Sequence, residues 1–172
     1  MIETLSATIP SDIEDLIHRV LLRACRGELM LAAAESCTGG LLASLLTDIE
    51  GCSHAFERGF VVYSEEAKCE LLGVAEQEID RCGAVSREVA MAMAKGAIAA
   101  SHADIAVAIT GFAGDGEEPG LVHFGCVTRA GQCAHRECRF GDIGRGPIRI
   151  AAIRVALEML DEALSASTDD QA

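Results

Sequence analysis

Three short runs of this chain carry side chains whose types and spacing suit chemistry. The first, Ala34-Glu35-Ser36-Cys37-Thr38-Gly39-Gly40, ends in a glycine pair. Two glycines let a backbone turn sharply and let a ligand approach peptide N–H groups, and a following helix N-terminus favours negative charge or a developing oxyanion. Ser36 is a candidate nucleophile in that setting; the plainer role for Ser36 or Thr38 is to cap the helix. Cys37 is intrinsically the stronger nucleophile, but its neighbours give no reason to prefer it. The second run holds Tyr63 and Lys68, one of only two lysines with Lys95. A lysine kept partly neutral by burial serves as a base for serine, and a tyrosine relays or donates a proton; otherwise Lys68 is an exposed helix residue paired with Glu65. The third, Ile109-Thr110-Gly111-Phe112-Ala113-Gly114-Asp115-Gly116, is a strand running into a glycine-rich loop. It matches neither G-x-x-x-x-G-K-[ST] nor G-x-G-x-x-G, so it is either a phosphate cradle of another kind or a plain sheet-edge loop.

The elements that must position these runs are legible from periodicity. Ser11 with Glu14 is a capping-box pattern opening a first helix to about Glu28, with Ile13, Leu16, Ile17, Val20 and Leu21 at helical spacing. The apolar run Leu29 to Ala34 predicts a buried strand, and a short helix from Gly39-Gly40 to Leu45 follows it. A strand from Phe60 to Tyr63 leads to a helix capped by Ser64 and ended by Gly73. Ser86 caps an alanine-rich helix, Arg87 to Ala100, whose low bulk suits close packing on a sheet. Asp104 to Thr110 reads as an interior strand, and Leu121 to Arg129 with Gln132 to Phe140 as an antiparallel edge hairpin turning at Ala130-Gly131. The last helix starts near Pro147 and runs to about Leu164, with the termini, 1–10 and 165–172, expected to be frayed. Helices interleave with strands throughout, which predicts one α/β domain over 1–172, with helices on both faces of a mixed sheet.

Composition narrows the function. Half of the 172 residues are hydrophobic but only 3% are aromatic, so Ala, Leu, Ile and Val must build the core. A net charge of −13 argues against nonspecific nucleic-acid binding and against anionic membrane surfaces. Six arginines nevertheless fall between Arg129 and Arg154 against Glu137 and Asp142, which is either a solvated face or a pocket for a small anion. Eight scattered cysteines, with no C-x-x-C, read mostly as small buried hydrophobes of a reduced, cytoplasmic protein; neither they nor the five dispersed histidines form a metal-binding pattern. The first ten residues lack a signal-peptide pattern, and no segment has the apolar length of a membrane span.

The three runs, in this order and joined by Leu72-Gly73-Val74, Gly83-Ala84-Val85-Ser86 and Phe140-Gly141-Asp142 with arginines after it, resemble the CinA C-terminal domain family over roughly Ile13 to Leu164. The resemblance implies a three-layer α/β/α sandwich with a mixed, mostly parallel sheet. It also implies a nicotinamide-nucleotide amidase that turns nicotinamide mononucleotide into nicotinic acid mononucleotide and ammonia, without metal or cofactor. Carried onto this sequence, Ser36 is the nucleophile, Lys68 its base and Tyr63 an assistant; N–H groups of Thr38, Gly39 and Gly40 serve an oxyanion or phosphate, and Thr110, Gly111 and Arg145 hold the nucleotide. Two departures stand out: Asp115 occupies a place where relatives carry proline, and the usual Gly-Asp-Arg run is interrupted as Gly141-Asp142-Ile143-Gly144-Arg145, leaving Arg145 or Arg149 for the arginine role. An inactive nucleotide-binding or regulatory module of the same fold is the alternative, and a purely structural partner of another enzyme a more distant one. The partner expected is a small nucleotide, not nucleic acid or membrane, and the alanine-rich helix surface favours a homo-oligomer.

Overall fold

The computed structural model describes residues 9–114 and 116–169. In chain order the elements are α1 (Ser11–Arg26), β1 (Leu31–Glu35), α2 (Leu41–Leu45), β2 (Phe56–Val61), α3 (Glu65–Leu72), α4 (Glu76–Cys82), α5 (Arg87–Ala99), β3 (Ile105–Gly111), β4 (Leu121–Thr128), β5 (Cys133–Arg139) and α6 (Arg145–Asp169). The five strands form one sheet in the order β2-β1-β3-β4-β5. β1 runs parallel to both β2 and β3, while β4 is antiparallel to β3 and to β5, so the sheet is mixed and mostly parallel as expected.

Alternation along the strands assigns two different faces. Leu31 and Ala33 of β1, Ile105, Val107 and Ile109 of β3, and Val122, Phe124 and Cys126 of β4 pack with α1, α2 and α6. The opposite face carries Ala32, Ala34, Ala106 and Ala108, which meet α3, α4 and α5. Small residues on both sides let α5 lie close: a Cβ at Gly125 of β4 would sit 2.6 Å from the carbonyl oxygen of Ala90. The low bulk read in the sequence is therefore what brings α5 against the sheet.

Several expected boundaries move. α1 starts after Pro10 with no side-chain cap, so the Ser11/Glu14 box does not form. β2 lies earlier than expected, at Phe56–Val61, and α4 has no counterpart in the sequence reading. α6 begins at Arg145 and continues through Asp169 rather than ending at Leu164. The Ser64 and Ser86 caps form as read, accepting from the N–H groups of Ala67 and Val89. Only Cys37, Cys52 and Cys126 are buried; Cys133 is exposed and four others are half-buried, which corrects their reading as mostly core residues. Among the described residues no helix is long and apolar enough to cross a membrane.

The site follows from the crossovers. The connection after β1 passes to α2 on one face, and that after the neighbouring β2 passes to α3 on the other. Divergence of two adjacent parallel strands opens a crevice at their C-terminal ends, where open α/β sheets bind ligands.

Candidate active site

A cavity of about 310 Å³ occupies that crevice, at the small end of the usual range for ligand sites. It is lined by Ser36 and Cys37 after β1, Tyr63 to Glu65 and Lys68 after β2, Ala84 and Val85 before α5, Thr110 to Ala113 at the end of β3, and Arg145 at the start of α6. Six of the nine residues expected at the site thus meet in one place: Ser36, Tyr63, Lys68, Thr110, Gly111 and Arg145.

Lys68 is almost fully buried, and no carboxylate forms an ion pair with it among the described residues. Its Nζ donates to the carbonyl oxygens of Val62 at 3.0 Å and Ser64 at 3.5 Å, and lies 3.2 Å from Ser36 Oγ. Two of the four tetrahedral positions on nitrogen therefore face carbonyls, a third holds the chain, and the last faces the serine. In the ammonium that position carries a proton; in the neutral amine it carries the lone pair that accepts the Ser36 proton. Burial pushes the Lys68 pKa below its usual value, against the opposing pull of the Glu65 charge, and so favours the neutral form. The surface ion pair with Glu65, the plainer reading of the sequence, is absent.

Ser36 is held from both sides: its N–H donates to the Ile109 carbonyl of β3 at 3.0 Å, and its carbonyl accepts from Gly39 at 3.1 Å. Cys37 shares the cavity, but burial raises its thiol to about 11, so it stays protonated and is a poor nucleophile. Tyr63 is 64% exposed, and its hydroxyl accepts from an Arg145 guanidinium N–H at 2.9 Å rather than bonding to Ser36 or Lys68. Thr110 donates its hydroxyl proton to the Ala84 carbonyl at 2.8 Å, fixing the segment before α5. Gly111 is demanded by packing, since a Cβ there would lie 2.8 Å from the Leu121 carbonyl oxygen.

Thr38, Gly39 and Gly40 stand outside the cavity wall. The Gly39 N–H is spent on Ser36 and the Gly40 N–H on the Glu35 carboxylate, so neither is available to an oxyanion. Thr38 is fully buried; its carbonyl accepts from Arg149 at 2.6 Å. This separates the two arginines: Arg149 braces the loop from beneath, while Arg145 reaches the cavity. The peptide N–H of Cys37, next to the serine, donates to no backbone carbonyl among the described residues. Asp115 lies outside the described residues, and the neighbouring acid Glu118 is paired with Arg139. Among the described residues no cluster of three potential ligands could hold a metal.

One residue the sequence reading passed over is central. Glu35 is completely buried, and its carboxylate accepts from the N–H groups of Gly40, Leu42 and Ala43. A carboxylate just before the serine, with helix N–H groups five to eight residues on, was the available signal.

Fold and site together define a three-layer α/β/α protein whose strand-to-helix loop presents a serine to a buried lysine. The model of the CinA C-terminal domain matches residues 13–164, and the chain belongs to that family. It is 48% identical over 136 residues to the nicotinamide-nucleotide amidohydrolase PncC of Escherichia coli strain K12, covering 76% of this chain and 81% of that one. Among solved structures, the competence/damage inducible protein CihA from Agrobacterium tumefaciens superposes with a TM-score of 0.88 at 47% identity, covering 93% of this chain and 99% of that one. A CinA superfamily protein from Escherichia coli gives 0.82 at 36% identity, covering 91% and 94%.

Proposed function

We propose that this chain is a nicotinamide-nucleotide amidohydrolase that converts nicotinamide mononucleotide to nicotinic acid mononucleotide and ammonia. The observation that carries the reading is the buried Lys68 amine 3.2 Å from Ser36 Oγ in a cavity flanked by Arg145. The 48% identity to a relative of that named activity supports the substrate.

In this reading neutral Lys68 takes the Ser36 proton as Oγ attacks the carboxamide carbon, and the oxyanion of the tetrahedral intermediate is assigned to the Cys37 N–H, which no backbone carbonyl takes. The Lys68 ammonium then gives its proton to the departing nitrogen, releasing ammonia and leaving an ester on Ser36. Water, deprotonated by the same amine, attacks that ester, and the second tetrahedral intermediate collapses to free Ser36 and the carboxylate product. Arg145, with the N-terminus of the long helix α6, suits the nucleotide phosphate. Tyr63 and Phe112 are the aromatic rings available to the pyridine. Tyr63 acts on Arg145 rather than as a relay to the dyad, since its hydroxyl bonds there. The chain works as one domain on a small molecule, in the cytoplasm, and as a homo-oligomer; exposed Leu22, Val61 and Leu71 supply apolar surface for that association.

The test is ammonia release from nicotinamide mononucleotide. Wild type turns over and Ser36→Ala loses about 10³-fold or more in kcat while remaining folded. A folded wild type that binds the nucleotide but releases no ammonia would return the chain to the class of binding modules.

A further inference from the structure

Helix α2 has an unusual first turn. Its capping position is Gly40, at φ 92°, which has no side chain to accept from the N–H groups of that turn. The acceptor comes instead from across the loop: Glu35 Oε2 takes the N–H groups of Gly40 at 3.2 Å and Leu42 at 3.1 Å, and Oε1 takes that of Ala43 at 2.8 Å. The same residue's main-chain carbonyl accepts from the Val62 N–H at 2.8 Å, and the Val62 carbonyl in turn accepts from Lys68 Nζ. Glu35 thus closes the nucleophile loop into a ring, joining its two ends through its own side chain, and ties that ring to the segment that aims the lysine.

From this we infer that Glu35 is the positioning residue of the nucleophile: it sets the separation of Ser36 Oγ from Lys68 Nζ without touching substrate. The inference rests on the amidase reading only in taking Ser36 as the reactive serine. A carboxylate suits the place because both oxygens are acceptors and the helix N-terminus compensates a buried negative charge. Glutamine of the same shape offers one acceptor oxygen and turns an NH₂ group toward peptide N–H donors. The loop then relaxes, and Ser36 drifts from its base by a fraction of the 3.2 Å now separating them. Arg145 and the Tyr63 hydroxyl, which make no bond to this ring, keep their places.

The experiment compares wild type, Glu35→Gln, Glu35→Asp and Ser36→Ala by two readouts. One is steady-state hydrolysis of nicotinamide mononucleotide; the other is the rate at which a fluorophosphonate modifies Ser36, followed by mass spectrometry, which needs no natural substrate. Glu35→Gln, folded by circular dichroism, is expected to lose about 10²-fold in kcat with KM changed less than about threefold, and its labelling to slow in parallel. Glu35→Asp, which keeps both acceptors on a shorter arm, recovers part of the loss. Labelling and kcat within about twofold of wild type, or a loss confined to KM, overturns the inference. Should both variants fail to fold, amide exchange in wild type decides: protected Gly40, Leu42 and Ala43 support the inference, and exchange at the rate of exposed loops overturns it. A wild type that labels at Ser36 but releases no ammonia refutes the amidase reading while leaving Glu35 tested by its labelling rate. A wild type reactive in neither assay overturns both.

Discussion

Gly96 offers a test of how the fold sets the catalytic distance from afar. It lies on α5 against Leu72, the last residue of α3, and a Cβ built there would fall 2.0 Å from the Leu72 carbonyl oxygen. Ordinary contact begins near 3.4 Å, so Gly96→Ala requires α3 and α5 to separate by about 1.4 Å. Backbone, not a pliable side-chain tip, is what must give. Lys68 sits one turn before Leu72 on the same eight-residue helix, so a shift of α3 carries its Nζ off Ser36 Oγ, beyond the 3.2 Å at which a proton passes. Misplacement of a reacting group by 1 Å costs about 10²-fold in rate, which is about 2.7 kcal/mol of barrier. Stability suffers less: overpacking costs about 1–3 kcal/mol, and replacing glycine by alanine inside a helix returns about 1 kcal/mol. The net loss of about 0–2 kcal/mol corresponds to about 2–4 °C in Tm for each kcal/mol in a domain of this size. Ammonia release at saturating substrate and a thermal melt measure both, with the exposed Lys95→Ala on the same helix as control. A folded Gly96→Ala protein with wild-type kcat would refute the argument that α3 placement sets the dyad.

Two further outcomes follow from the same geometry. Because burial depresses the Lys68 pKa, kcat/KM rises with pH along a limb whose midpoint lies below the usual lysine value of 10.5, and Lys68→Met abolishes the limb along with about 10²–10⁴-fold of the rate. The linkage has a definite sign: the unfolded chain holds the Lys68 proton at pH values where the native chain has shed it, so stability rises as pH climbs between the native and unfolded pKa values, and denaturant melts of Lys68→Met lack that rise. Away from the site, Arg129 reaches the carbonyls of Ile98, Ser101 and Ala103 at the C-terminal end of α5; Arg129→Ala should lower stability by about 1–3 kcal/mol in denaturant melts and leave kcat within about twofold.

What the sequence disclosed and what it hid divide along the range of the interactions. Caps act within three residues, so Ser64 and Ser86 were readable; alternation acts within a strand, so β3 and the β4–β5 hairpin were too. The strand β2 was misplaced because it is an edge strand whose residues are half-buried or exposed, leaving no apolar run to mark it. The Ser11/Glu14 box failed because Pro10, at φ −58°, already fixes the entry to α1 and its carbonyl accepts from Ile13 and Glu14. At the site, the resemblance to a family brought Ser36 and Lys68 forward, but burial of Lys68 beneath two carbonyls is a property of the packed crevice.

The two glycines after the serine show the same division more sharply. Gly39 and Gly40 were expected to offer N–H groups to a ligand because glycines beside a helix N-terminus commonly do so. Here their conformational freedom, φ 60° and 92°, serves the turn alone, and the donors are consumed inside the loop. The buried carboxylate of Glu35 decides this. Had position 35 been apolar, the N–H groups of Gly40, Leu42 and Ala43 would remain free to meet an anion, and the site would lie on the α2 side of the loop. With Glu35 occupying them, an incoming phosphate meets a filled and negatively charged helix start, whereas the Arg145 guanidinium, at the start of α6, lines the cavity. On the proposed reading, the residue that steadies the nucleophile loop therefore also closes the start of α2 to an anion and leaves Arg145, in the cavity wall, to meet it.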